Sequence, residues 1–322
     1  MKAIVQHKYG EPQDVLEFKE IDKPAVKDDE VLVRVRAASI HIGDVYTIRG
    51  VPYVMRPLFA MLRAKNRVPG TDIAGTVEEV GKSVTNLQPG DEVFGPCKGA
   101  FAEYVAVSAD SLALRPFNLS FEQAAAVVTS ALTALQALRD KGKVQAGHKV
   151  LITGASGGVG TFAVQIAKSL GAEVTGVCST RNLEMVRSIG ADHVIDYTQE
   201  DFTKGDLRYD LILDNVASQS MADARSAVAA DGKLLANGAP VGGFIGGLTH
   251  PMKAMAVSLF VRQQGRPFVS VPNQEDLVTL KELAESGEIV PVMDRTFPIE
   301  QAPQALAHVG EGHAQGKTVI TM

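Results

Sequence analysis

From Lys149 to Ala236 the chain repeats one pattern: a short apolar, β-branched run followed by a stretch of helical period. "KVLIT" leads into "GVGTFAVQIAKSLG", "AEVTGVC" into "RNLEMVRSIG", and "HVIDY", "YDLILDNV", "QSMADARSAVA" and "GKLLANGA" continue the series. Runs this short and this apolar are buried on both faces, and crossover helices between them impose parallel pairing. The segment therefore predicts an α/β fold of β-α-β units around a parallel sheet. Gly171 closes the first of these helices, where a residue without Cβ can adopt the left-handed conformation that ends a helix.

Flanking segments follow other periods. The first ~115 residues alternate short strands with turns: "KAIVQ", "EVLVRVRAAS", "AGTVEEVG" and "FAEYVAVS" are separated by Gly, Pro and Asp, and "QPGDEVFG" is a turn into a strand. This predicts a compact β-rich domain over 1–118. Ser120 and Gln123 form a capping box ahead of "AAAVVTSALTALQAL", a buried helix that opens a second domain over 119–255. The tail, 256–322, mixes "RPFVSVP", the helices "NQEDLVTLKELAESG" and "PIEQAPQALAHV", and a closing strand "KTVITM". The apolar insert at 51–65 reads either as a helix packed on the core or as a wall over an apolar ligand.

The turn after the first parallel strand, "VLITGASGGVG", fits two chemistries. Gly154-Ala-Ser156-Gly-Gly158 matches the G-x-S-x-G elbow that presents a nucleophilic serine. Ala155-Ser156-Gly157-Gly158-Val159-Gly160 is one residue from the G-x-G-x-x-G of a dinucleotide-binding turn. An elbow needs a downstream acid and histidine and an upstream oxyanion segment. His193, His250, His308 and His313 lie downstream in no recognisable context, and no HGGG-like stretch precedes the turn. The phosphate-binding reading uses more residues: Gly157 admits the backbone to a pyrophosphate, and Gly160 lets the helix lie against the strand. At the end of the next strand, Ser179, Thr180 and Arg181 stand where an NAD site carries a ribose-gripping carboxylate. Hydroxyls and a guanidinium bind a 2′-phosphate that a carboxylate would repel, so the cofactor expected is NADP(H). Arg181 also reads as a solvated residue at a helix start.

Composition narrows the class. With 322 residues, 45% hydrophobic and 21% charged, the chain resembles an ordinary two-domain globular protein. A formal net charge of -5 argues against nucleic acid or an anionic membrane as a partner. Two cysteines, Cys97 and Cys178, are too few for a disulfide framework, and no signal or transit pattern opens the sequence. A reduced, cytoplasmic setting is expected, with no membrane span.

The sequence resembles the medium-chain dehydrogenase/reductase superfamily, in its zinc-free quinone oxidoreductase-like branch, over essentially its whole length. The resemblance rests on "GDVYTIRG", "PGTDIAGTVEEVG", "PGDEVFG", "GAFAEYVAV", "ALTALQAL", "GASGGVGTFAVQIAK", "GADHVIDY" and "GHAQGKTVI". It implies a GroES-like β-rich catalytic domain, completed by the tail, and a Rossmann NADP-binding domain, with the nicotinamide in the cleft between them. Zinc-dependent members carry Cys, His-Glu and Cys where this sequence has His41, Thr71-Asp72 and Thr129. Zinc takes about three good N, S or O ligands plus water, and threonines are poor ones, so no metal is expected. His41 replaces an Asn frequent in quinone oxidoreductases; it is either a hydrogen-bond or proton donor or a structurally fixed histidine. The resemblance carries Tyr46 to the substrate pocket (or to core packing) and Thr133 to the nicotinamide (or to helix packing). It assigns Ser179, Arg181 and Tyr197 to the adenosine 2′-phosphate. Asn215, Val216, Gly238 and Ala239 fall at the ends of later parallel strands, where ligands bind in open α/β sheets.

The expected function is NADPH-dependent reduction of quinones or α,β-unsaturated carbonyls by hydride transfer. His41, Tyr46 and Thr129 are the candidates to stabilise developing oxygen charge on a small apolar carbonyl or quinone substrate. The rivals are NADP-dependent alcohol/aldehyde interconversion, a low-turnover NADPH-binding regulatory protein, and, more distantly, a hydrolase using Ser156. The resemblance also implies a homodimer.

Overall fold

The computed structural model describes residues 1–51, 67–217, 219–237, 265–267 (backbone only) and 269–322. The insert at 51–65, apart from Val51, therefore lies outside the described residues, as do Gly238 and Ala239. The chain forms two compact units. Among the described residues, Met1–Val51, 67–132 and Val271–Met322 belong to the first, and residues between Thr133 and Ser270 to the second. The tail from Val271 thus returns to the first unit. The divisions fall at 132/133 and 270/271, not at 118/119 and 255/256, because the first twelve residues of the helix that begins at Phe121 pack with the β-rich unit. No described helix is long and apolar enough to cross a membrane.

In the first unit, β1 (Lys2–Gln6) pairs antiparallel with β2 (Leu16–Glu20) beyond the short helix α1 (Pro12–Val15). A seven-stranded sheet is built on the long β3 (Glu30–Ile40), which leads into helix α2 (Ile42–Arg49). Against β3 lie β4 (Asp72–Val80) and β6 (Tyr104–Ser108), with β5 (Glu92–Pro96) and β7 (Ala113–Leu114) continuing outward from β4. Helix α3 (Phe121–Leu135) follows, opened by the expected capping box. Gln123 donates its backbone N–H to Ser120 Oγ at 3.3 Å, and Ser120 N–H donates to Gln123 Oε1 at 3.0 Å.

In the second unit, β8 (Lys149–Thr153), α4 (Gly158–Ser169), β9 (Glu173–Cys178), α5 (Leu183–Ser188) and β10 (His193–Asp196) come first. Then follow β11 (Tyr209–Asp214), α6 (Met221–Ser226), β12 (Val228–Ala236) and β13 (Gly265–Pro267). The strands are parallel throughout, in spatial order β10-β9-β8-β11-β12-β13. Counted from β8 this is 3-2-1-4-5-6, the doubly wound order in which the crossovers reverse direction between β8 and β11. The carboxyl ends of those two strands form the switch point where such sheets take ligands.

The tail supplies α7 (Gln274–Glu285), β14 (Met293–Pro298), α8 (Ala302–Gly310) and β15 (Lys317–Thr321). β15 joins β3 antiparallel, with Thr318 opposite Ile40, and β14 lies parallel to β15. The core of this unit runs through Ile4, Val33, Ile40, Ile48, Ile73, Phe101, Leu112, Leu306 and Ile320, all nearly inaccessible. At roughly 1.5–3 kcal/mol per buried large side chain, this cluster is what binds the C-terminal tail to the N-terminal sheet.

Candidate functional site

Two groups of side chains carry chemistry, one in each unit. In the second unit, the turn after β8 is shaped by two glycines. Gly154 takes φ +60°, and a Cβ on Gly160 would sit 2.0 Å from the Gly154 carbonyl oxygen. The first turn of α4 therefore lies directly on the bend. Ala155 needs no positive φ, because Gly154 absorbs the left-handed step. Helix α4 follows Gly157, which gives it no side-chain cap, so its leading amides keep their donors and the positive end of the helix dipole. A Cβ at Gly157 would meet only the Gly154 oxygen, at 3.4 Å. An uncapped helix start beside a residue that leaves room is a fitting cradle for a diphosphate.

Ser156 sits in this turn, and its Oγ accepts a hydrogen bond from Asn182 Nδ2 at 2.9 Å. The same amide donates to Ser179 Oγ at 3.2 Å. Asn182 thus brings together two serines that sequence reasoning assigned to separate parts of a cofactor site, and Asn182 itself went unnoticed because it looks like an ordinary helix-start residue. Tyr197 N–H donates to Cys178 O at 3.1 Å, so Tyr197 adjoins Ser179, and both Tyr197 and Arg181 are exposed. A carboxylate does approach this edge. Asp196 accepts from Thr180 Oγ1 at 2.5 Å and from Thr198 N–H and Oγ1, bonds that hold its carboxyl below the usual range.

The other side of the switch point is tied by Thr153 and Asp214, also unnoticed in the sequence. Thr153 Oγ1 donates to Asp214 Oδ1 at 2.7 Å and accepts from Asn215 N–H at 2.9 Å. Asp214 also receives the N–H groups of Val216 and Ala217, and Ala217 is held at φ +55°. This network leaves the Val216 side chain half exposed next to Gly154. Asn215 Oδ1 accepts from Asn237 Nδ2 at 2.8 Å, linking β11 to β12. Thr133 hydrogen-bonds Ser270 Oγ at 2.9 Å.

The first unit collects His41, Asp44, Thr71, Asp72 and Thr129. His41 caps α2: its N–H donates to Asp44 Oδ2 at 3.0 Å, and Gly50, in the left-handed region, closes the helix. The ring lies over Gly43, where any Cβ would come within 2.7 Å of it. His41 Nε2 is hydrogen-bonded to Thr71 Oγ1 at 2.7 Å and lies 3.6 Å from Asp44 Oδ2. Asp72 is wholly buried and accepts from Thr129 Oγ1 at 2.5 Å, Thr129 N–H at 3.1 Å and Ser39 Oγ at 3.2 Å. The Thr129 proton is therefore directed into Asp72. Burial pushes the Asp44 carboxyl above its ordinary value, with the charge of His41 opposing. Burial, with Asp72 and Asp44 adding to it, also raises the Cys97 thiol well above its usual range. Tyr46, on α2, is half-buried, and desolvation raises its phenol.

Among the described residues no group of three or more His, Cys, Asp or Glu is placed to hold a metal ion. The oxygens of Asp72 already accept from Ser39, from the Thr129 N–H and hydroxyl and, at 3.4 Å, from the Thr71 hydroxyl. This donor set does not fit zinc.

Residues 27–117 match the family model described as the alcohol dehydrogenase GroES-like domain, and residues 189–320 the one described as zinc-binding dehydrogenase. The mitochondrial NAD(P)H oxidoreductase RTN4IP1 of Mus musculus is 36% identical over 355 residues, spanning 100% of this chain and 89% of that protein. The chloroplastic NADPH-dependent alkenal/one oxidoreductase of Arabidopsis thaliana is 34% identical, over 99% of this chain and 79% of that protein. Among solved structures, the quinone oxidoreductase from Coxiella burnetii superposes with a TM-score of 0.89 at 28% identity, covering 100% of this chain and 99% of that one. With a seven-stranded sheet in the first unit, a 3-2-1-4-5-6 parallel sheet in the second and relatives aligned over 99–100% of this chain, the chain belongs to the medium-chain dehydrogenase/reductase superfamily, in its quinone oxidoreductase-like branch.

Proposed function

We propose that the protein is a zinc-independent, NADPH-dependent reductase of quinones or α,β-unsaturated carbonyls. The observation that carries this reading is the uncapped start of α4, set on the Gly154 bend at the switch point and bordered by Ser156, Asn182 and Ser179. Gly157, Gly158, Val159 and Gly160 would hold the diphosphate, and Ser179, Arg181 and Tyr197 the 2′-phosphate. Asn215, Val216 and Thr133 would flank the nicotinamide. When bound, NADPH supplies the hydride.

The chain's own work is then to stabilise charge on the substrate oxygen and to move a proton. The donor proposed is the His41 imidazole, its Nε2 exchanging the Thr71 hydroxyl for the substrate oxygen, with the Tyr46 phenol as a second. Thr129 positions Asp72, since its own proton is committed there. A protein-bound imidazole aimed at a developing oxyanion is worth about 100-fold or more in rate. His41→Ala is expected to lower kcat by about that factor, with the NADPH dissociation constant, read by fluorescence, unchanged.

The decisive experiment compares NADPH and NADH oxidation across quinones, enones and aldehydes, alongside metal analysis of the purified protein. Turnover of quinones or enones with NADPH, and zinc far below one per chain, supports the reading. Tight NADPH binding with no turnover on any of them overturns it in favour of a regulatory role. Loss of one charge-assisted phosphate contact costs about 1.5–3 kcal/mol. Arg181→Ala is thus expected to raise KM for NADPH about tenfold or more while leaving KM for NADH within about twofold. Equal effects on the two would remove the 2′-phosphate assignment. A homodimer in a reducing, cytoplasmic setting completes the proposal; both cysteines are free and buried. Light scattering should return twice the 34.2 kDa chain mass.

A further inference from the structure

Lys317 opens β15 and is 1% exposed, among the most deeply buried side chains of the first unit. A buried ammonium is costly unless hydrogen bonds and opposite charge offset its desolvation. Its Nζ donates to the Ile40 carbonyl at 2.9 Å and to Ser130 Oγ at 3.0 Å. Both acceptors are sequence neighbours of site residues: Ile40 immediately precedes His41, and Ser130 immediately follows Thr129. One nitrogen therefore pins the end of β3 to helix α3.

Asp72 from β4 and Asp44 from α2 are the charges that act on it, and His41, at the head of α2, follows the Ile40 carbonyl in the chain. On the flank toward β14, Asp294 is paired with His308 of α8 at 2.6 Å and accepts from the Thr318 hydroxyl. The buried Cys97 thiol faces the same two carboxylates and stays neutral. Burial draws the Lys317 ammonium below its ordinary value, and Asp72 and Asp44 oppose that through space. Asp72 accepts from Ser39 and from both donors of Thr129, an arrangement that suits an acceptor-only carboxylate. The Asp44 and Asp72 charges act against each other, and a fixed cation that attracts both offsets that repulsion.

We propose that Lys317 is a positioning residue for the reaction: it clamps the backbone that presents His41 to the helix that presents Thr129, and its buried ammonium balances the negative charge of Asp72 and Asp44. This rests on the reading that His41 acts on the substrate. Lys317 is not held to touch substrate or cofactor.

Lys317→Met removes charge and clamp while keeping an unbranched apolar stem; Ser130→Ala removes half the clamp and keeps the charge. In Lys317→Met, kcat is expected to fall about 100-fold, in keeping with a misplacement of about 1 Å, with the NADPH dissociation constant within twofold of wild type. The acid limb of kcat/KM should move up by about one pH unit, because a carboxylate that loses a neighbouring cation protonates at higher pH. The carboxyl 13C resonance of Asp44 should titrate at correspondingly higher pH, with or without cofactor. Ser130→Ala should lower kcat about fivefold, by the loss of about 1 kcal/mol in one hydrogen bond, with the acid limb unmoved.

A folded Lys317→Met protein whose acid limb and Asp44 carboxyl resonance stay at wild-type values overturns the proposal, whatever its kcat. If Lys317→Met does not fold, Ser130→Ala decides: reduced kcat at unchanged NADPH affinity supports the clamp, and wild-type kcat overturns it. Full activity in His41→Ala would instead overturn the functional reading, while the carboxyl titration still judges Lys317.

Discussion

A Gly160→Ala protein is expected to lose about 3 kcal/mol of stability and to bind NADPH about 100-fold more weakly. The added methyl would lie 2.0 Å from the Gly154 oxygen and 2.7 Å from Ala155 Cα, both backbone atoms that no rotamer change can move. The bend must shift bodily away from the helix, and Gly154, already at φ +60°, leaves it little freedom to follow. Gly157→Ala is the control that separates packing from binding. Its methyl meets one atom, at 3.4 Å, so urea denaturation should place its stability within about 1 kcal/mol of wild type. Its affinity for NADPH should nonetheless fall, because the methyl occupies the space proposed for the diphosphate. Equal stability in Gly160→Ala and wild type would show that the helix does not rest on the bend. Unchanged NADPH affinity in Gly157→Ala would show that the ligand does not enter there.

Asp72→Ala is expected to destabilise the protein by about 3–5 kcal/mol, measured as a lower urea midpoint at neutral pH. The carboxylate is fully buried, and its loss strands the Thr129 amide, the Thr129 hydroxyl and the Ser39 hydroxyl at once. Lys317 also loses one of its two counter-charges. Asp72→Asn retains an acceptor oxygen but turns an NH2 group toward donors, so about half that loss is expected. Both variants should impair turnover more than NADPH binding, since Asp72 orders the His41 and Thr129 region and no cofactor contact is proposed for it. A midpoint unchanged in Asp72→Ala would mean that these bonds add nothing to folding.

The parallel sheet and its glycine turn were open to reading from the residues, because both depend on local rules. Apolar runs four to six residues long, amphipathic connections and a glycine at each tight step follow from the backbone's own geometry. The choice between nucleophile elbow and phosphate turn is of the same kind. Ser156 is hydrogen-bonded to an amide, and its φ is not positive.

Helix α2 was harder, although it carries His41 and Tyr46. It has Val45, Thr47 and Ile48 and no clear apolar stripe, so periodicity is silent; its helical form comes from the His41–Asp44 cap and the left-handed Gly50. The family resemblance, through "GDVYTIRG", supplied what periodicity did not.

Asn182, Thr153, Asp214 and Lys317 show no role in the sequence, although Thr153 and Lys317 lie within quoted stretches. Each acts by bridging strands or helices far apart in the chain: Lys317 reaches Ile40 across 277 positions, and Thr153 reaches Asp214 across 61. Residue order alone thus sufficed for the fold class, the glycine bend and the family, since these rest on side-chain period and backbone freedom within a few residues. Which polar groups are buried, and which partner satisfies each, was settled only when β3, β4, β15 and α3 met. The desolvation of a charge and the bonds that compensate it belong to a packed volume and leave no trace in local sequence.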